Sequence, residues 1–429
     1  MQIQSKKFSV ITLGCKTNIV ESNDIIAQLK SLSAVYVDDI TEAEILVINT
    51  CCVTKKAEVK SNYFINKANK LKNVKHVIVI GCYSQLKQRL LKHDKFMIVL
   101  GTQYKSMLKS LINKYVNKTI YLFDNYEQTP LFEIVTNKIN KTRAFYKIQD
   151  GCDNQCAYCI IPQVRGKSRS LDHNEVLMDI HNLANKQGFK EIVLTGINLG
   201  AYNDNGFSLF DLLEQINYMP GTFRIRLSSL EPNYLTKEIV DLITNNHSRW
   251  CQHLHISLQN CNNDILKSMY RKYTYEDFAK LCTYIKQKNN LFSITVDYII
   301  GFPNETNELF THELETLENS NISYINIFPF SLRPNTPAEK IENLVDEKTK
   351  TNRYKQLQKL NEKLLDKYLL QFIGQSVNVL FEMSKLKEYQ QGHSEYFFNV
   401  YVKTKEHLTN TIRRINVQTI EENKVIGVL

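Results

Sequence analysis

Short apolar runs alternate with amphipathic segments along the first 120 residues of the chain. The runs have the continuous apolar character of strands that are buried on both faces of a parallel sheet. They are Phe8–Leu13, Ile45–Asn49, Val77–Ile80 and Met97–Leu100. Segments with helical periodicity separate and follow them: Ile19–Leu29, Lys55–Leu71, Gln85–Leu91 and Tyr104–Tyr115. This alternation predicts an open α/β sheet domain over residues 1–120.

A second alternation begins at Ala144, after a stretch without clear periodicity (121–143) that is expected to be a linker. Its strand candidates are Ala144–Gln149, Glu191–Thr195, Phe223–Ser228, His253–Leu258, Ser293–Ile299 and Tyr324–Phe328. Helical patterns separate them: Asn174–Gln187, Leu209–Gln215, Thr236–Thr244, Tyr275–Lys288 and Asn307–Glu318. Because six strands are fewer than the eight of a closed barrel, the pattern predicts a partial (β/α)6 barrel with its chemistry on the loops after the strands.

The last part of the chain changes pattern again. Lys340–Gln371 is rich in Leu, Lys and Glu and is expected to be a long helix that closes the second domain, 144–371. Short alternating segments then predict a small all-β barrel over 374–429: Gln375–Glu382, Tyr396–Lys403 and Arg413–Thr419. Basic residues and tyrosines are interleaved there, namely Lys385, Lys387, Lys403, Lys405, Arg413, Arg414, Tyr389, Tyr396 and Tyr401. This composition suits RNA binding, and it equally fits a solvated strand face.

Charge and cysteine content narrow the function classes. The net charge of +10 makes an acidic partner plausible, with nucleic acid first, although a Lys-rich, AT-biased proteome gives the same excess. No apolar run is long enough to span a membrane, and Phe8–Leu13 is too short for a secretory signal. The ten cysteines are therefore expected as thiols or metal ligands in a reducing cytoplasm.

Three cysteines cluster directly after the first strand of the predicted barrel. Cys152, Cys156 and Cys159 have the spacings CxxxC and CxxC, which neither a helix nor a strand needs for packing. The spacing suits a loop around a metal centre. Three thiolates on a four-iron cubane would leave one iron without a protein ligand, open to a substrate.

A second set of cysteines lies at the ends of three predicted strands in the first domain. Cys15, Cys51 and Cys82 each follow such a strand, and ligands gather at the carboxyl ends of parallel strands. They are therefore expected to converge on one point, although any one of them alone reads more simply as a buried core thiol. Cys52 would point the other way in an extended segment and is expected to be structural.

By these motifs the chain resembles a known family. The CxxxCxxC loop after the first strand of a partial barrel resembles the signature of radical S-adenosylmethionine (SAM) enzymes. With TLGCKTN (12–18), NTCCVT (49–54) and GCYSQ (81–85), the whole chain resembles the methylthiotransferases, and its last segment resembles their TRAM domain. The implied fold is α/β, with an N-terminal open sheet, a central partial (β/α)6 radical-SAM barrel and a small C-terminal all-β TRAM barrel.

The resemblance implies specific ligands. Cys152, Cys156 and Cys159 would hold one [4Fe–4S] cluster, whose open iron chelates SAM, and Cys15, Cys51 and Cys82 would hold a second. The positions expected to bind the cofactor SAM are Tyr158, Gly196, Ser229, Glu231, Gln259 and Arg271. Tyr158 equally reads as a packing aromatic. The chain departs from the family at Asn260–Cys261, usually Ser–Gly, and at Lys272, usually Arg; Cys261 is expected to be inert.

The resemblance also implies a reaction. One SAM would methylate sulfur bound at the second cluster, and another would supply the radical that activates carbon 2 of an adenine for methylthio transfer. GCKxN and TGINLG resemble the subgroup that modifies N6-threonylcarbamoyladenosine at tRNA position 37, and Lys16 is the discriminating residue. Expected partners are a tRNA anticodon stem-loop, a reductase electron donor and a sulfur donor, with no membrane.

Other readings differ in substrate or in class. The alternative substrates are isopentenyladenosine in tRNA, whose subgroup usually reads GCQMN, and a ribosomal-protein aspartate, whose subgroup reads GCPKN. A zinc-dependent RNA-binding protein without catalysis is a reading of another class. Structural zinc takes four closed ligands, and neither triad has a fourth Cys or His nearby. His173, the nearest histidine after Cys159, is expected at a helix start.

Overall fold

A computed structural model of the chain describes residues 3–87, 95–114, 119–123, 142–245, 249–384, 386 and 388–429. The chain forms two compact units. One comprises Met1–Ile139, Phe145–Leu171 and Ser331–Glu339, and the other Asn140–Ala144, Asp172–Phe330 and Lys340–Leu429. Most of the predicted linker (121–143), together with Lys385 and Lys387, lies outside the described residues. The domain boundaries at 120, 144, 371 and 374 stay predictions.

The first unit contains the predicted open α/β sheet. Its strands are β1 Lys7–Thr12, β2 Val35–Tyr36, β3 Ile45–Thr50, β4 His76–Gly81, β5 Phe96–Leu100 and β6 Ile120–Leu122. They pair in parallel in the order β2-β1-β3-β4-β5-β6. The helices are α1 Lys16–Ser31, α2 Lys55–Lys70, α3 Cys82–Lys87 and α4 Leu108–Lys114. The four predicted strands are confirmed, and β2 and β6 are additional short edge strands.

Helices cover both faces of this sheet because the side chains of β3 alternate between them. Ile45 and Val47 join the apolar cluster that α1 and α4 contribute to, while Leu46 and Ile48 join the cluster of α2. All residues of β3 are buried, as expected of a central parallel strand. The order of the strands reverses direction between β1 and β3, so this pair flanks the switch point of a doubly wound sheet, where ligands bind at the strands' carboxyl ends.

Residues 145–171 of the first unit form a short segment that carries Cys152, Cys156 and Cys159. Its elements are β7 Arg143–Lys147, which begins in the other unit, then β8 Gln149–Asp150, α5 Ile161–Arg165 and β9 Arg169–Ser170. β8 and β9 pair antiparallel, with Gln149 opposite Ser170 and Asp150 opposite Arg169. The loop with Cys152, Cys156 and Cys159 is therefore closed at its base by a short ladder.

The second unit contains the other predicted strands of the partial barrel and their helices. In chain order its elements are α6 His173–His181, β10 Glu191–Thr195, β11 Asn203–Asp204, β12 Phe207–Ser208, α7 Leu209–Tyr218, β13 Arg224–Leu227, α8 Lys237–Thr244, β14 His253–Gln259, α9 Asn263–Ser268, α10 Tyr275–Lys288, β15 Ser293–Ile300, α11 Asn307–Glu318, β16 Tyr324–Pro329 and α12 Glu347–Leu369. β10 pairs with β13 and β15 with β14 and β16, all in parallel. Isolated parallel bridges from Ile225 to Trp250 and from Leu230 to Ile256 connect the two sets.

The two faces of strand β14 differ in burial. Along β14, Leu254, Ile256 and Leu258 are buried, while the alternate residues His255, Ser257 and Gln259 are only half-buried, which separates the two faces of the strand.

At the edge strand β16, the Asn361 side chain of α12 both accepts from the Ile325 N–H (2.7 Å) and donates to its carbonyl (3.0 Å). The edge is thereby closed by a helix.

The chain ends in a closed five-stranded barrel, as the sequence predicts for an all-β module. Its strands are β17 Ser376–Phe381, β18 Tyr389–Ser394, β19 Asn399–Lys403, β20 Ile412–Glu421 and β21 Lys424–Val428. Tyr396 was predicted in a strand, but it lies in the turn before β19, where its ring packs 4.9 Å from that of Phe372. It belongs to the apolar core of the barrel rather than to a basic surface.

Among the helices that the described ranges contain, none has the length and apolar content needed to cross a membrane.

Candidate functional site

Cys15, Cys51 and Cys82 lie at the same edge of the first unit's sheet. They follow β1, β3 and β4, which are adjacent in the sheet. The strands end nearly level, because Thr12 pairs with Asn49 and Thr50 pairs with Gly81. Cys15 is the N-cap residue of α1, and Cys82 begins α3. The structure thus brings together the three strand ends that the sequence analysis singled out.

Glycines make this convergence possible. Gly14 has φ +97°, and a Cβ there would lie 2.7 Å from both Cβ and Sγ of Cys51. Gly81 has φ +118°, and a Cβ there would lie 2.6 Å from the carbonyl oxygen of Thr50. Only glycine fits both the left-handed backbone and the close approach. The backbone before Cys15 therefore touches the Cys51 side chain, at the switch point between β1 and β3.

The environment of these thiols suits a metal centre. Cys15 is exposed, whereas Cys51 and Cys82 are buried. Burial, with the neighbouring Cys82 thiol as a further cause, raises the pKa of Cys51 to about 12, and burial also raises the pKa of Cys82. Burial thus disfavours the free thiolates, and a metal ion would stabilise them. Three soft sulfur donors, one of them solvent-accessible, fit a cluster with an open position.

Burial does not distinguish Cys52 from Cys51, since both side chains are buried. Its carbonyl accepts a hydrogen bond from Arg333 (3.3 Å), and Arg333 forms an ion pair with Glu58 (3.0 Å). These contacts anchor the backbone directly after Cys51. The choice of Cys51 rather than Cys52 as a ligand stays a prediction.

The loop with Cys152, Cys156 and Cys159 is tightly folded. The Cys152 N–H donates to the Gly166 carbonyl (3.1 Å), and the Cys159 N–H donates to the Cys156 carbonyl (3.0 Å). At Gly151, with φ +71°, a Cβ would lie 1.9 Å from the Lys167 carbonyl oxygen. Cys156 is buried and the other two are half-buried. The loop thus carries three cysteines, two of them half-buried, on a backbone that its own hydrogen bonds fix, which fits a cluster that remains accessible to a small molecule.

Three of the predicted SAM-binding residues lie together in the second unit. The Ser229 hydroxyl is 2.7 Å from that of Ser257, and Arg271 donates to the Ser257 carbonyl (3.1 Å). Arg271 also forms an ion pair with Glu231 (3.5 Å). Tyr273, which accepts a hydrogen bond from Arg271 Nε (2.9 Å), donates to the Ser257 carbonyl (2.6 Å). The result is a cation with defined orientation, in a group that also contains one carboxylate and the hydroxyls of Ser229, Ser257 and Tyr273.

Sequence reasoning missed Ser257 and Tyr273, which complete this group. A signal for Ser257 exists, since it occupies one of the alternate, half-buried positions of β14. Gln259 ends the same strand with φ +71°, an uncommon conformation for a residue other than glycine that clusters at functional sites. Gly196 follows β10 in this unit, and Tyr158 lies in the cysteine loop of the other unit.

The positions that depart from the family pattern lie apart from the Arg271 side chain's contacts. The Cys261 thiol is buried, 3.2 Å from the Tyr298 hydroxyl, and burial raises its pKa. This fits the expectation that Cys261 is chemically inert. Lys272 is exposed, while the neighbouring Arg271 side chain is 3% exposed. The Lys272 substitution therefore changes the surface beside the group and leaves the buried cation in place.

Among the described residues, one group of His, Cys, Asp and Glu side chains has its ligand-type atoms within 4.8 Å of one another, namely Asp172, His173 and Asp204. Asp172 caps α6 by accepting from the N–H groups of Asn174 and Glu175. His173 Nδ1 lies 2.8 Å from Asp204. Each member thus has a structural role at the start of α6, where the sequence predicted His173.

Comparisons with known proteins match this chain to two family models and to named relatives. The model of the Radical SAM superfamily matches residues 146–317, and that of uncharacterized protein family UPF0004 matches residues 7–101. The threonylcarbamoyladenosine tRNA methylthiotransferase MtaB of Thermotoga maritima is 36% identical over 98% of this chain and 96% of its own length. The tRNA-2-methylthio-N(6)-dimethylallyladenosine synthase of Thermodesulfovibrio yellowstonii is 31% identical over 86% of each.

Among solved structures, the radical SAM methyltransferase TsrM from Kitasatospora setae aligns with a TM-score of 0.56 over 78% of this chain and 75% of that one. At 13% identity this likeness shows the fold alone. The curated relatives reported for this chain are 30–36% identical over 86–98% of it, and their names are those of tRNA methylthiotransferases or of tRNA-2-methylthio-N(6)-dimethylallyladenosine synthases. Radical SAM enzymes use a [4Fe–4S] cluster and SAM, and the matched ranges contain the two cysteine triads. The chain belongs to the radical SAM methylthiotransferase family.

Proposed function

We propose that the protein is a tRNA methylthiotransferase that adds a methylthio group to carbon 2 of N6-threonylcarbamoyladenosine at position 37. The observation that carries the proposal is the presence of two cysteine triads in one compact unit, one at level strand ends and one in a tight loop. A single radical SAM site would need only the loop. The second triad gives the protein a place to hold sulfur as well.

In this proposal each triad has its own cluster. Cys152, Cys156 and Cys159 hold the [4Fe–4S] cluster that binds SAM, and Cys15, Cys51 and Cys82 hold a second [4Fe–4S] cluster. When bound, these groups supply a carbon-centred radical and a methylthio sulfur. The chain's own contribution is placement: Gly14 lets the backbone close on Cys51, and burial of Cys51 and Cys82 keeps water from two of the ligands.

The buried polar group of the second unit orients SAM in the same proposal. Arg271, fixed by Tyr273 and Glu231, offers a cation to the carboxylate of SAM. Ser229 and Glu231 offer partners for its hydroxyl and ammonium groups. Gly196, Gln259 and Tyr158 complete the predicted set. Removing the Arg271 cation should raise the concentration of SAM that half-saturates the enzyme.

A tRNA substrate agrees with the charge of the protein and with the names of its relatives. Lys403, Arg413 and Arg414 are exposed on the terminal barrel, and the chain carries a net charge of +10. Exposed cations bind phosphates in a sequence-independent way, and the flipped adenine is read separately. The reaction also requires a reductase electron donor and a sulfur donor, and a tRNA substrate would place the enzyme in the cytoplasm.

The choice of nucleoside is supported by fewer observations than the methylthio transfer itself. The relatives named for threonylcarbamoyladenosine are 32–36% identical, and those named for dimethylallyladenosine are 30–32% identical. Lys16, at the first position of α1, is the residue that favours threonylcarbamoyladenosine. Dimethylallyladenosine, the isopentenyladenosine of the sequence analysis, is therefore the second candidate, and a ribosomal-protein aspartate is the third.

Mass spectrometry of tRNA nucleosides tests the nucleoside directly. The protein is expressed in a bacterial host that lacks both of its own tRNA methylthiotransferases. We expect 2-methylthio-N6-threonylcarbamoyladenosine to appear. Appearance of only the dimethylallyl product would favour the second candidate. A host without any methylthiolated tRNA nucleoside, but with methylthiolated ribosomal protein, would favour the third.

Iron content tests the two-cluster chemistry. Purified without oxygen, the protein should hold about eight irons, four per cluster. Replacing the cysteines of one triad should leave about four. A preparation that contains zinc instead of iron and forms no SAM cleavage products would refute the proposal.

A further inference from the structure

A buried arginine joins the two segments of the first unit that carry the cysteine triads. Arg165 ends α5, six residues after Cys159, and its side chain is 1% exposed. One terminal nitrogen donates to Glu21 (2.8 Å) and to Asp150 (2.9 Å). The other donates to the Asn18 side chain (2.8 Å). The planar guanidinium therefore bridges α1 and the strand before the cysteine loop.

On one side, Asn18 extends this bridge to the amino-terminal triad. Its amide nitrogen donates to the carbonyls of Leu13 (2.6 Å) and Thr50 (3.1 Å). These carbonyls precede Cys15 by two residues and Cys51 by one. The amide oxygen of Asn18, in contrast, faces Arg165. One side chain thus fixes the approach to two cysteines and receives the guanidinium.

On the other side, Asp150 extends the bridge to the cysteine loop. Its carboxylate accepts from the Gly151 N–H (2.8 Å), directly before Cys152. The Cys152 N–H in turn donates to the carbonyl of Gly166, the residue after Arg165. A continuous hydrogen-bonded path therefore runs from the amino-terminal triad through Asn18, Arg165 and Asp150 to the loop.

The charges around Arg165 fit a site that carries negative charge. Lys147 pairs with Glu21 (2.9 Å) and Asp150 (3.0 Å), and Lys105 also pairs with Glu21. Burial alone would raise the pKa of Glu21, but Arg165, Lys105 and Lys147 hold it well below its usual range. The two carboxylates are outnumbered by three buried cations that pair with them, Arg165, Lys147 and Lys105. Buried charge of one sign is costly unless it is compensated, and cluster thiolates would compensate it.

The Arg165 guanidinium has one further donor, its Nε atom. Arg165 Nε is buried and, as far as the described residues show, has no hydrogen-bond acceptor. Hydrogen bonds to cluster sulfurs are one means by which proteins tune reduction potentials.

We propose that Arg165 is a positioning residue that holds the amino-terminal triad and the cysteine loop at a fixed separation, so that radical and sulfur reach the same substrate atom. The inference rests on the two-cluster function proposed above. Its force comes from geometry: only a planar fork reaches Asn18, Glu21 and Asp150 at once. A misplacement of about 1 Å is enough to cost a reaction about 100-fold.

The test uses the anaerobically loaded enzyme and the variant Arg165→Lys, which keeps the charge and loses the fork. We expect the variant to retain about eight irons and near wild-type formation of 5′-deoxyadenosine. The yield of methylthio product per 5′-deoxyadenosine should fall about 100-fold. Electron paramagnetic resonance of the two reduced clusters should show a weaker spin–spin interaction than in the wild type.

Two further variants complete the test. Arg169→Lys is the matched control, because Arg169 also contacts Asp150 (3.5 Å) but not Asn18, and it should match the wild type in both readouts. Asp150→Asn keeps an oxygen for the Gly151 N–H and should likewise weaken the spin–spin interaction. It replaces Arg165→Lys as the test variant if Arg165→Lys does not fold. A wild-type product ratio and spin–spin interaction in Arg165→Lys, or in Asp150→Asn where it is the folded variant, would overturn the inference.

The proposed function and the inference fail separately. A wild-type enzyme with about four irons, or without methylthio product, would contradict the two-cluster function before any variant is made. With a wild-type enzyme of about eight irons, loss of iron from one triad in Arg165→Lys would also overturn the inference, because Arg165 would then serve ligation or folding rather than separation.

Discussion

The Glu191→Gln variant should release the terminal barrel from the rest of the second unit. Glu191 is fully buried on β10. Its carboxylate accepts from Arg224 Nε (2.7 Å) and from Arg226 Nε (2.9 Å). The two arginines in turn donate to four backbone carbonyls of the terminal barrel segment, those of Asn378, His393, Ser394 and Glu395. One carboxylate thus orients both guanidiniums that hold the barrel.

The size of the destabilisation follows from the two buried guanidinium groups that lose their anionic partner. In the glutamine variant, two guanidiniums remain buried without the anion between them. Breaking a buried ion pair by removing one partner costs about 3–5 kcal/mol. Since a domain is stable by only about 5–15 kcal/mol, such a loss should be visible as partial or complete unfolding of this unit.

The effect should depend on pH in a defined direction. Burial by itself raises the pKa of Glu191, but the charges of Arg226 and Arg224 hold it well below its usual range. A pKa that is lower in the folded than in the unfolded state stabilises the fold above the unfolded value, about 4.3, and this contribution is lost as the pH falls further. The difference between Glu191→Gln and the wild type should therefore be full at neutral pH and shrink in acid.

Urea unfolding followed by tryptophan fluorescence measures this difference. Trp250 is the single tryptophan of the chain, is buried, and donates from its indole nitrogen to Asn217 (3.1 Å). Its neighbour Cys251 lies 3.8 Å from Glu191, so the probe reports on the right region. The control is Glu388→Gln, whose exposed pair with Lys403 (3.5 Å) should contribute less than about 1 kcal/mol. A Glu191→Gln unfolding free energy equal to wild type at pH 7, or a loss that does not shrink in acid, would refute the reasoning.

Two other predictions concern the sites, and a third concerns Glu313, a buried carboxyl group on α11. Cys156→Ala should abolish reductive SAM cleavage, whereas Cys51→Ala should keep cleavage and lose methylthio transfer; an inactive Cys52→Ala with an active Cys51→Ala would reverse that assignment. Lys16→Gln should lower the ratio of threonylcarbamoyl to dimethylallyl product in the nucleoside assay, and an unchanged ratio would remove Lys16 as a determinant. Burial, with a neighbouring carboxylate, raises the pKa of Glu313 to about 8. The wild type should therefore lose stability relative to Glu313→Gln as the pH rises from about 4.3 toward that value, and a difference independent of pH would contradict this.

The placement of Cys51 and Cys82 at one edge of the sheet was the most predictable part of the site, because the carboxyl ends of parallel strands lie at the same edge. Ile45–Thr50 and His76–Gly81 are apolar enough to be recognised as buried strands, and parallel strands end at one edge. The position of Cys51 relative to Cys82 therefore follows from the pattern. The edge strands Val35–Tyr36 and Ile120–Leu122 were not predicted, because segments of two and three residues are too short to show a periodic pattern.

The buried charges could not be predicted in the same way. Arg165 and Glu21 are 144 residues apart, and nothing in the local pattern distinguishes them from surface charges. In the terminal barrel, the polar segment Tyr389–Ser394 lacks an apolar alternation, so its strand was missed. Its backbone pairing with β17 and β19, rather than its side chains, makes it a strand. Long-range pairing is information that one sequence does not contain.

The division of the chain into units bears on the proposed two-cluster reaction. Both cysteine triads lie in the first unit, whereas Arg271 and the terminal barrel lie in the second. The separation between the triads is thus set within one compact unit, by Asn18, Arg165 and Asp150. In the proposed function, Arg413 would contact the tRNA from the other unit and take no part in that separation. Arg165→Lys should therefore harm methylthio transfer on any accepted nucleoside, whereas Lys16→Gln should change only which nucleoside is accepted.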